Sequence, residues 1–200
     1  MMKVLWFGDS NVFGFCPLDM SRFDKQTRWS GILAQNLIKK NILVLEDGMN
    51  NRTCFSKNQT AETTGILAIE KHFNKNFDKV ILQIGINDLQ KQYNVSLKDF
   101  EIGLEEFIKK IQNGFQNCEI LILIPAEINE NILKSYFYGL FDESSVEKSK
   151  RLTEIYKKIA NENKCSYLDL NEIAKVSEID SLHYDKNEHL KIAKAIEKTL

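Results

Sequence analysis

Lys3-Val4-Leu5-Trp6-Phe7, followed at once by Gly8-Asp9-Ser10-Asn11, is a short apolar run that breaks into a polar turn. Its Val, Leu and two aromatics suit a strand buried on both faces. Four similar runs recur, at 42–46, 79–84, 119–124 and 166–170. Between them lie longer stretches with helical spacing. Residues 27–40 carry Trp29, Ile32, Leu33 and Leu37 on one stripe. Residues 97–115 do the same with Phe100, Leu104, Phe107, Ile108 and Ile111, behind a Ser96/Asp99 cap pair. Residues 146–163 repeat the pattern through Leu152, Ile155, Tyr156 and Ile159. A last helix is expected from Asp185, with Glu188 three residues on and Leu190, Ile192, Ala193 and Ile196 buried. Strand and helix in alternation predict an α/β domain around a parallel sheet of about five strands, joined by right-handed crossovers.

In such sheets the chemistry collects beyond the carboxyl ends of the strands. Capable residues stand there. The first run ends in Gly8-Asp9-Ser10-Asn11, the second in Asp47-Gly48-Met49-Asn50, and the third in Gly85-Ile86-Asn87-Asp88. Before the last helix comes Asp180-Ser181-Leu182-His183. A serine hydroxyl needs a base to become a nucleophile, and histidine is the natural one. A carboxylate then holds the imidazole tautomer and stabilises the cation that forms. Asp180 and His183 are three apart, so one loop can aim both at Ser10. The backbone N–H groups of Ser10 and Gly48 and the Asn87 amide are candidate donors to an oxyanion.

Length and composition agree with one domain over 1–200. Hydrophobic residues make up 43% and charged ones 28%; 27 basic side chains nearly balance 28 acidic ones, for a net charge of −1. With no polybasic run, neither nucleic acid nor an anionic membrane is expected as partner. The four cysteines have no CxxC spacing and are read as reduced, mostly buried thiols. Three histidines without an HxxxH or Cys/His cluster predict no metal, and no organic cofactor is expected either. The first apolar stretch is too short for a signal segment and no run approaches a membrane span, so a cytoplasmic location is expected. Gly8 and Gly14 lack the Gly-Lys-Ser/Thr ending of a phosphate loop.

The four blocks, in this order, resemble those of the SGNH (GDSL-like) hydrolases. Gly8-Asp9-Ser10 is similar to block one, Gly48 to block two, Gly85-Ile86-Asn87-Asp88 to block three and Asp180-x-x-His183 to block five. Arg28-Trp29, the run Glu46-Asp47-Gly48-Met49-Asn50-Asn51-Arg52-Thr53, and Glu147-Lys148-Ser149 further resemble the bacterial arylesterase and acyltransferase branch. The resemblance implies a three-layer α/β/α flavodoxin-like fold. It implies Ser10, Asp180 and His183 as a catalytic triad, and Ser10, Gly48 and Asn87 as the oxyanion hole. Asn11, Phe13, Phe15, Met49 and Ile86 are expected around the substrate, and Asp9 and Asp88 in support. Ser10 is followed by Asn11 rather than the Leu of the GDSL name, and Ile86 and Phe15 replace residues common in relatives. These departures bear on substrate preference.

The expected reaction is hydrolysis or transfer of small acyl groups of carboxylic esters. Carbohydrate O-acetylesterase, lysophospholipase and thioesterase activities use the same triad, and a non-enzymatic binding protein on this fold is the contrary reading. A homo-oligomer is expected by the same resemblance. His72 is read as solvated and His189 as a surface or packing residue. Asp88 is read as orienting Asn87 or capping a helix. The cluster Tyr136, Phe137, Tyr138 and Phe141 is read first as core or interface packing, with a cover over the pocket as the alternative.

Overall fold

In the computed structural model, which describes residues 1–200, the five apolar runs are β1 (Met2–Gly8), β2 (Ile42–Gly48), β3 (Lys79–Gln83), β4 (Glu119–Ile124) and β5 (Ser166–Asp169). Their order across the sheet is β2-β1-β3-β4-β5, and every neighbouring pair is parallel. The helices are α1 (Ser10–Phe13), α2 (Trp29–Ile38), α3 (Gly65–Ala68), α4 (Leu97–Gly114), α5 (Glu143–Glu162) and α6 (Lys186–Glu197). The chain leaves β1 toward β2 and returns past it to β3. The strand order therefore reverses between β1 and β3, where open α/β sheets form their crevice.

Alternation along the strands makes two cores. Leu5, Phe7, Val80, Leu82, Ile120 and Ile122 face α4 and α5, meeting Phe107, Ile108, Leu152 and Ile159. Val4, Trp6, Ile81, Leu121 and Leu123 face α2 and α6, meeting Trp29, Leu33, Ile192 and Ile196. The result is three layers, as the period-two pattern of strands covered on both faces requires. Ser96 caps α4 by accepting the Asp99 N–H at 3.1 Å. Helix α5 begins three residues before its expected start, because Asp142 and Ser145 form a reciprocal capping box. Leu190, expected in the core, is exposed on α6.

One histidine departs from expectation, and the other takes the packing alternative. His72 is buried, with its Nε2 2.7 Å from Asp47 Oδ2 at the end of β2. His189 is fully buried, and its Nδ1 accepts the Trp29 N–H at the start of α2. Burial pushes the His189 pKa down to about 3, which keeps the ring neutral for that role. All four cysteines are free; Cys16 and Cys54 are buried, and Cys118 and Cys165 are half-buried.

Gly85 sits where β3 hands over to the turn that carries Asn87. Its φ is +119°, and a Cβ there would lie 2.1 Å from Tyr156 Oη. That hydroxyl donates to the Ile84 carbonyl. Gly85→Ala combines backbone strain with a clash against a fixed side chain, so a loss of about 2–4 kcal/mol in stability is expected. A urea midpoint unchanged from the parent would contradict this.

Candidate active site

Three strand ends and the loop before α6 converge at the crevice. Asp9 caps the short helix α1 by accepting the Asn11 N–H at 2.9 Å, which sets Ser10 as the first helical residue. Burial raises the Asp9 carboxyl to about 7, against the opposing pull of the Asn11 N–H and the Arg52 charge. From the far end of the chain, Asp180 Oδ1 accepts the N–H groups of Leu182 and His183 at 3.0 and 2.9 Å. These two bonds fold the loop so that Asp180 Oδ2 lies 2.7 Å from His183 Nδ1. With Nδ1–H donating there, Nε2 is the acceptor for the Ser10 hydroxyl, also at 2.7 Å. Ser10, Asp180 and His183 are all buried.

Burial acts to raise the Asp180 carboxyl, but the His183 ring and the two loop N–H groups outweigh it, and its pKa lies below the ordinary value. This carboxylate therefore stabilises the fold at neutral pH. That contribution is lost only as pH falls through the lowered pKa.

Ser10 and His183 open on a cavity of about 100 Å³. One wall is apolar: Phe15, Phe137, Leu140, Phe141 and Leu182. The other is made of amides: Asn50, Asn51, Asn87 and Gln90. Phe15 lies against the His183 ring with centroids 4.3 Å apart, and Phe137 at 5.6 Å. Tyr136 Oη lies within hydrogen-bond reach of Asp180 Oδ2 (3.1 Å) and of the Pro17 carbonyl (3.3 Å). The aromatic cluster divides: Phe137 and Phe141 line the cavity, Phe141 also belongs to the core facing α4 and α5, and Tyr138 is exposed.

Several sequence-predicted residues stand elsewhere. Gly48 does not line the cavity. Its missing side chain makes room for α1, since a Cβ there would meet Phe13 N at 2.2 Å. The block-two residue that reaches the cavity is Asn51, with φ +60°. The Asn51 N–H donates to no group of the chain. Of the five expected substrate contacts, only Phe15 lines the cavity. Asn11 is buried, and its amide donates to the Leu182 carbonyl, tying the Ser10 segment to the His183 loop. Phe13 lies under the Arg22 guanidinium, 4.5 Å from its centroid. Ile86 belongs to the core facing α4 and α5, and Met49 is half-buried outside the cavity wall. Asp88 neither orients Asn87 nor caps a helix; it accepts the N–H groups of Cys54, Phe55 and Ser56 and so shapes the loop after β2.

Arg52 holds that loop. Its fully buried guanidinium donates to the carbonyls of Gly8, Asp47 and Glu62 and pairs with Asp47 Oδ1 at 3.0 Å. A buried cation so completely paired fixes geometry more than it adds stability. The Arg52 carbonyl in turn accepts from Asn87 Nδ2 at 3.0 Å. The sequence signal for the Asn51 turn was the Asn50-Asn51 pair, because asparagine tolerates the left-handed region.

No group of three or more His, Cys, Asp or Glu gathers as a metal ion would need, and no helix is long and apolar enough to cross a membrane. A model of the GDSL-like lipase/acylhydrolase family matches residues 6–191. None of the curated protein sequences matches the chain. Among solved structures, one at 28% identity superposes with a TM-score of 0.91 over 100% of this chain and 96% of its own. The native aryl esterase of M. smegmatis is similar at 21% identity and a TM-score of 0.88, covering 100% of this chain and 98% of its own. Est24, a carbohydrate acetylesterase from Sinorhizobium meliloti, is similar at 21% identity and a TM-score of 0.87, with the same coverage.

Proposed function

The chain belongs to the GDSL-like lipase/acylhydrolase family and is a carboxylic ester hydrolase, and from that premise we propose that it cleaves or transfers small acyl groups through Ser10, His183 and Asp180. The observation that carries this reading is the unbroken relay of 2.7 Å contacts from Ser10 Oγ through the His183 ring to Asp180, opening on a cavity of about 100 Å³. Pockets that hold drug-sized ligands run to about 300–1,000 Å³. The room beside Ser10 suits an acetyl group or one slightly longer.

In the proposed course, Ser10 Oγ attacks the ester carbonyl while His183 Nε2 takes its proton. Charge develops on the former carbonyl oxygen. The Ser10 N–H, at the start of a helix and without an intrahelical partner, is one donor to it. The Asn87 amide is the second. The Asn51 N–H is the third, in place of Gly48, supported by its place on the cavity wall and its unused hydrogen. Protonated His183 gives its proton to the departing alcohol. Water, or a second alcohol, then attacks the acyl-enzyme with His183 again as base.

Asn87→Ala is expected to lower kcat about 100- to 1,000-fold with the fold intact, as loss of one oxyanion donor does. An unchanged kcat would confine Asn87 to a structural role. The test of the function is a panel of nitrophenyl esters from acetyl to decanoyl plus acetylated sugars, with Ser10→Ala protein as blank. Highest kcat/KM at acetyl or propionyl supports the reading. A maximum at long chains would replace it with lysophospholipase or thioesterase activity, and turnover of sugar acetates alone with a carbohydrate O-acetylesterase. A serine-directed fluorophosphonate that fails to label Ser10 would favour the non-enzymatic reading.

A further inference from the structure

Gln90 follows the turn that carries Asn87, and its side chain is buried. Its Nε2 donates to Asn51 Oδ1 at 2.6 Å and to Asn87 Oδ1 at 3.1 Å, so both amide hydrogens are engaged. Its own Oε1 accepts from Gln92 Nε2 at 2.8 Å, and the run of amides is anchored at the Arg52 carbonyl, which can only accept and does so from Asn87 Nδ2.

An asparagine amide has a donor end and an acceptor end of nearly equal shape, and a half-turn about Cβ–Cγ exchanges them. Which end of Asn87 faces the reacting oxygen decides whether it attracts or repels an anion. With Gln90 donating to Oδ1, Asn87 Nδ2 is left for the Arg52 carbonyl and the cavity. The reversed amide would set Nδ2 against the Gln90 donor and Oδ1 against the Arg52 carbonyl. Gln90 also joins the loop after β2, which carries the Asn51 N–H, to the loop after β3, which carries Asn87.

We infer that Gln90 is a positioning residue that, together with the Arg52 carbonyl, holds the polarity of the Asn87 amide and braces the Asn51 turn, so that the donors from two separate loops meet one oxyanion. This rests on the esterase reading above. Gln90 does not itself touch the reacting atoms; it acts through Asn87 and Asn51. Its effect belongs to the transition state, where negative charge has formed, and not to ground-state binding.

The experiment compares wild type with Gln90→Met and Gln90→Glu on an acetyl ester in mildly alkaline buffer. Methionine keeps the bulk without a donor, and glutamate keeps the shape but offers an acceptor. Both are expected to lose about 10- to 100-fold in kcat, with KM held within about twofold. Affinity for a trifluoromethyl ketone, whose adduct with Ser10 carries an oxyanion, falls in parallel. In an Asn87→Ala background, Gln90→Met adds less than about a threefold further loss, because its main lever is already gone. Where the methionine variant fails to fold, the glutamate variant carries the test alone. Wild-type turnover with unimpaired variants, or losses that multiply fully with Asn87→Ala, would overturn this inference and leave the esterase reading standing. A wild-type protein without ester turnover would overturn both.

Discussion

Ser10→Ala protein is expected to fold as the parent does and to lose about 10⁵- to 10⁶-fold in kcat on a small aryl ester. The two halves of that result have separate causes. The hydroxyl makes a single side-chain bond, to His183 Nε2, and Ser10 is buried at the head of α1. Removing it leaves one ring nitrogen without its partner, a change of about 1 kcal/mol that leaves thermal unfolding nearly where it was. The chemistry has no substitute. Among the side chains lining the cavity the other polar groups are amides and one imidazole, with no second hydroxyl or thiol, and the Tyr136 hydroxyl lies on the Asp180 side of the ring, away from Nε2. Residual rate would come from the oxyanion donors acting on a bound ester attacked by water. Turnover within about tenfold of the parent, measured beside matched melting curves, would move the nucleophile elsewhere.

The sequence was most legible where one short stretch settles its own environment. Val80, Ile81 and Leu82 alternate between the two cores in consecutive positions, and a run this short, with its β-branched residues, suits a strand covered on both faces better than a buried helix. The hydrogen-bonded run from Ser10 through His183 to Asp180 was legible for a related reason. Asp180 and His183 are held by bonds within their own four-residue loop, and Ser10 follows directly from a strand end. Misreadings cluster where a partner comes from far along the chain. His72 looks solvated beside Glu70 and Lys71, until Asp47 arrives from β2. His189 reads as surface or packing, and only α2, bringing the Trp29 N–H against it, decides for packing.

Nearness in sequence to Ser10 also misled. Gly14, with φ +84°, reverses the chain so that the Phe15 N–H returns to the Ser10 carbonyl. Phe15 is thereby folded over His183, while Phe13 is left under Arg22. The segment around Phe137 has no helical or strand period at all. It is laid across the cavity by contacts to Phe15 and by the Tyr136 hydroxyl, none of which a local pattern encodes.

Asp180→Asn is expected to reduce kcat about 10⁴-fold while leaving the loop folded. The direction follows from which oxygen does what. Oδ1 accepts two backbone N–H groups at 2.9–3.0 Å, and these require an acceptor. In the variant the amide oxygen therefore takes the Oδ1 place and the NH₂ takes the Oδ2 place, facing His183 Nδ1. An NH₂ donates, so Nδ1 becomes the acceptor and the ring proton moves to Nε2. An Nε2 that carries a proton has no lone pair for the Ser10 hydroxyl, and the relay runs the wrong way. The Tyr136 hydroxyl, which approaches the same Oδ2, accepts from the second NH₂ hydrogen there while donating to the Pro17 carbonyl, so the loop keeps that contact. Nitrogen chemical shifts of the His183 ring should report the exchanged tautomer, and melting curves should stay close to the parent. A variant that keeps kcat within about tenfold, with the ring still protonated at Nδ1, would mean that the carboxylate neither sets the tautomer nor supports the imidazolium.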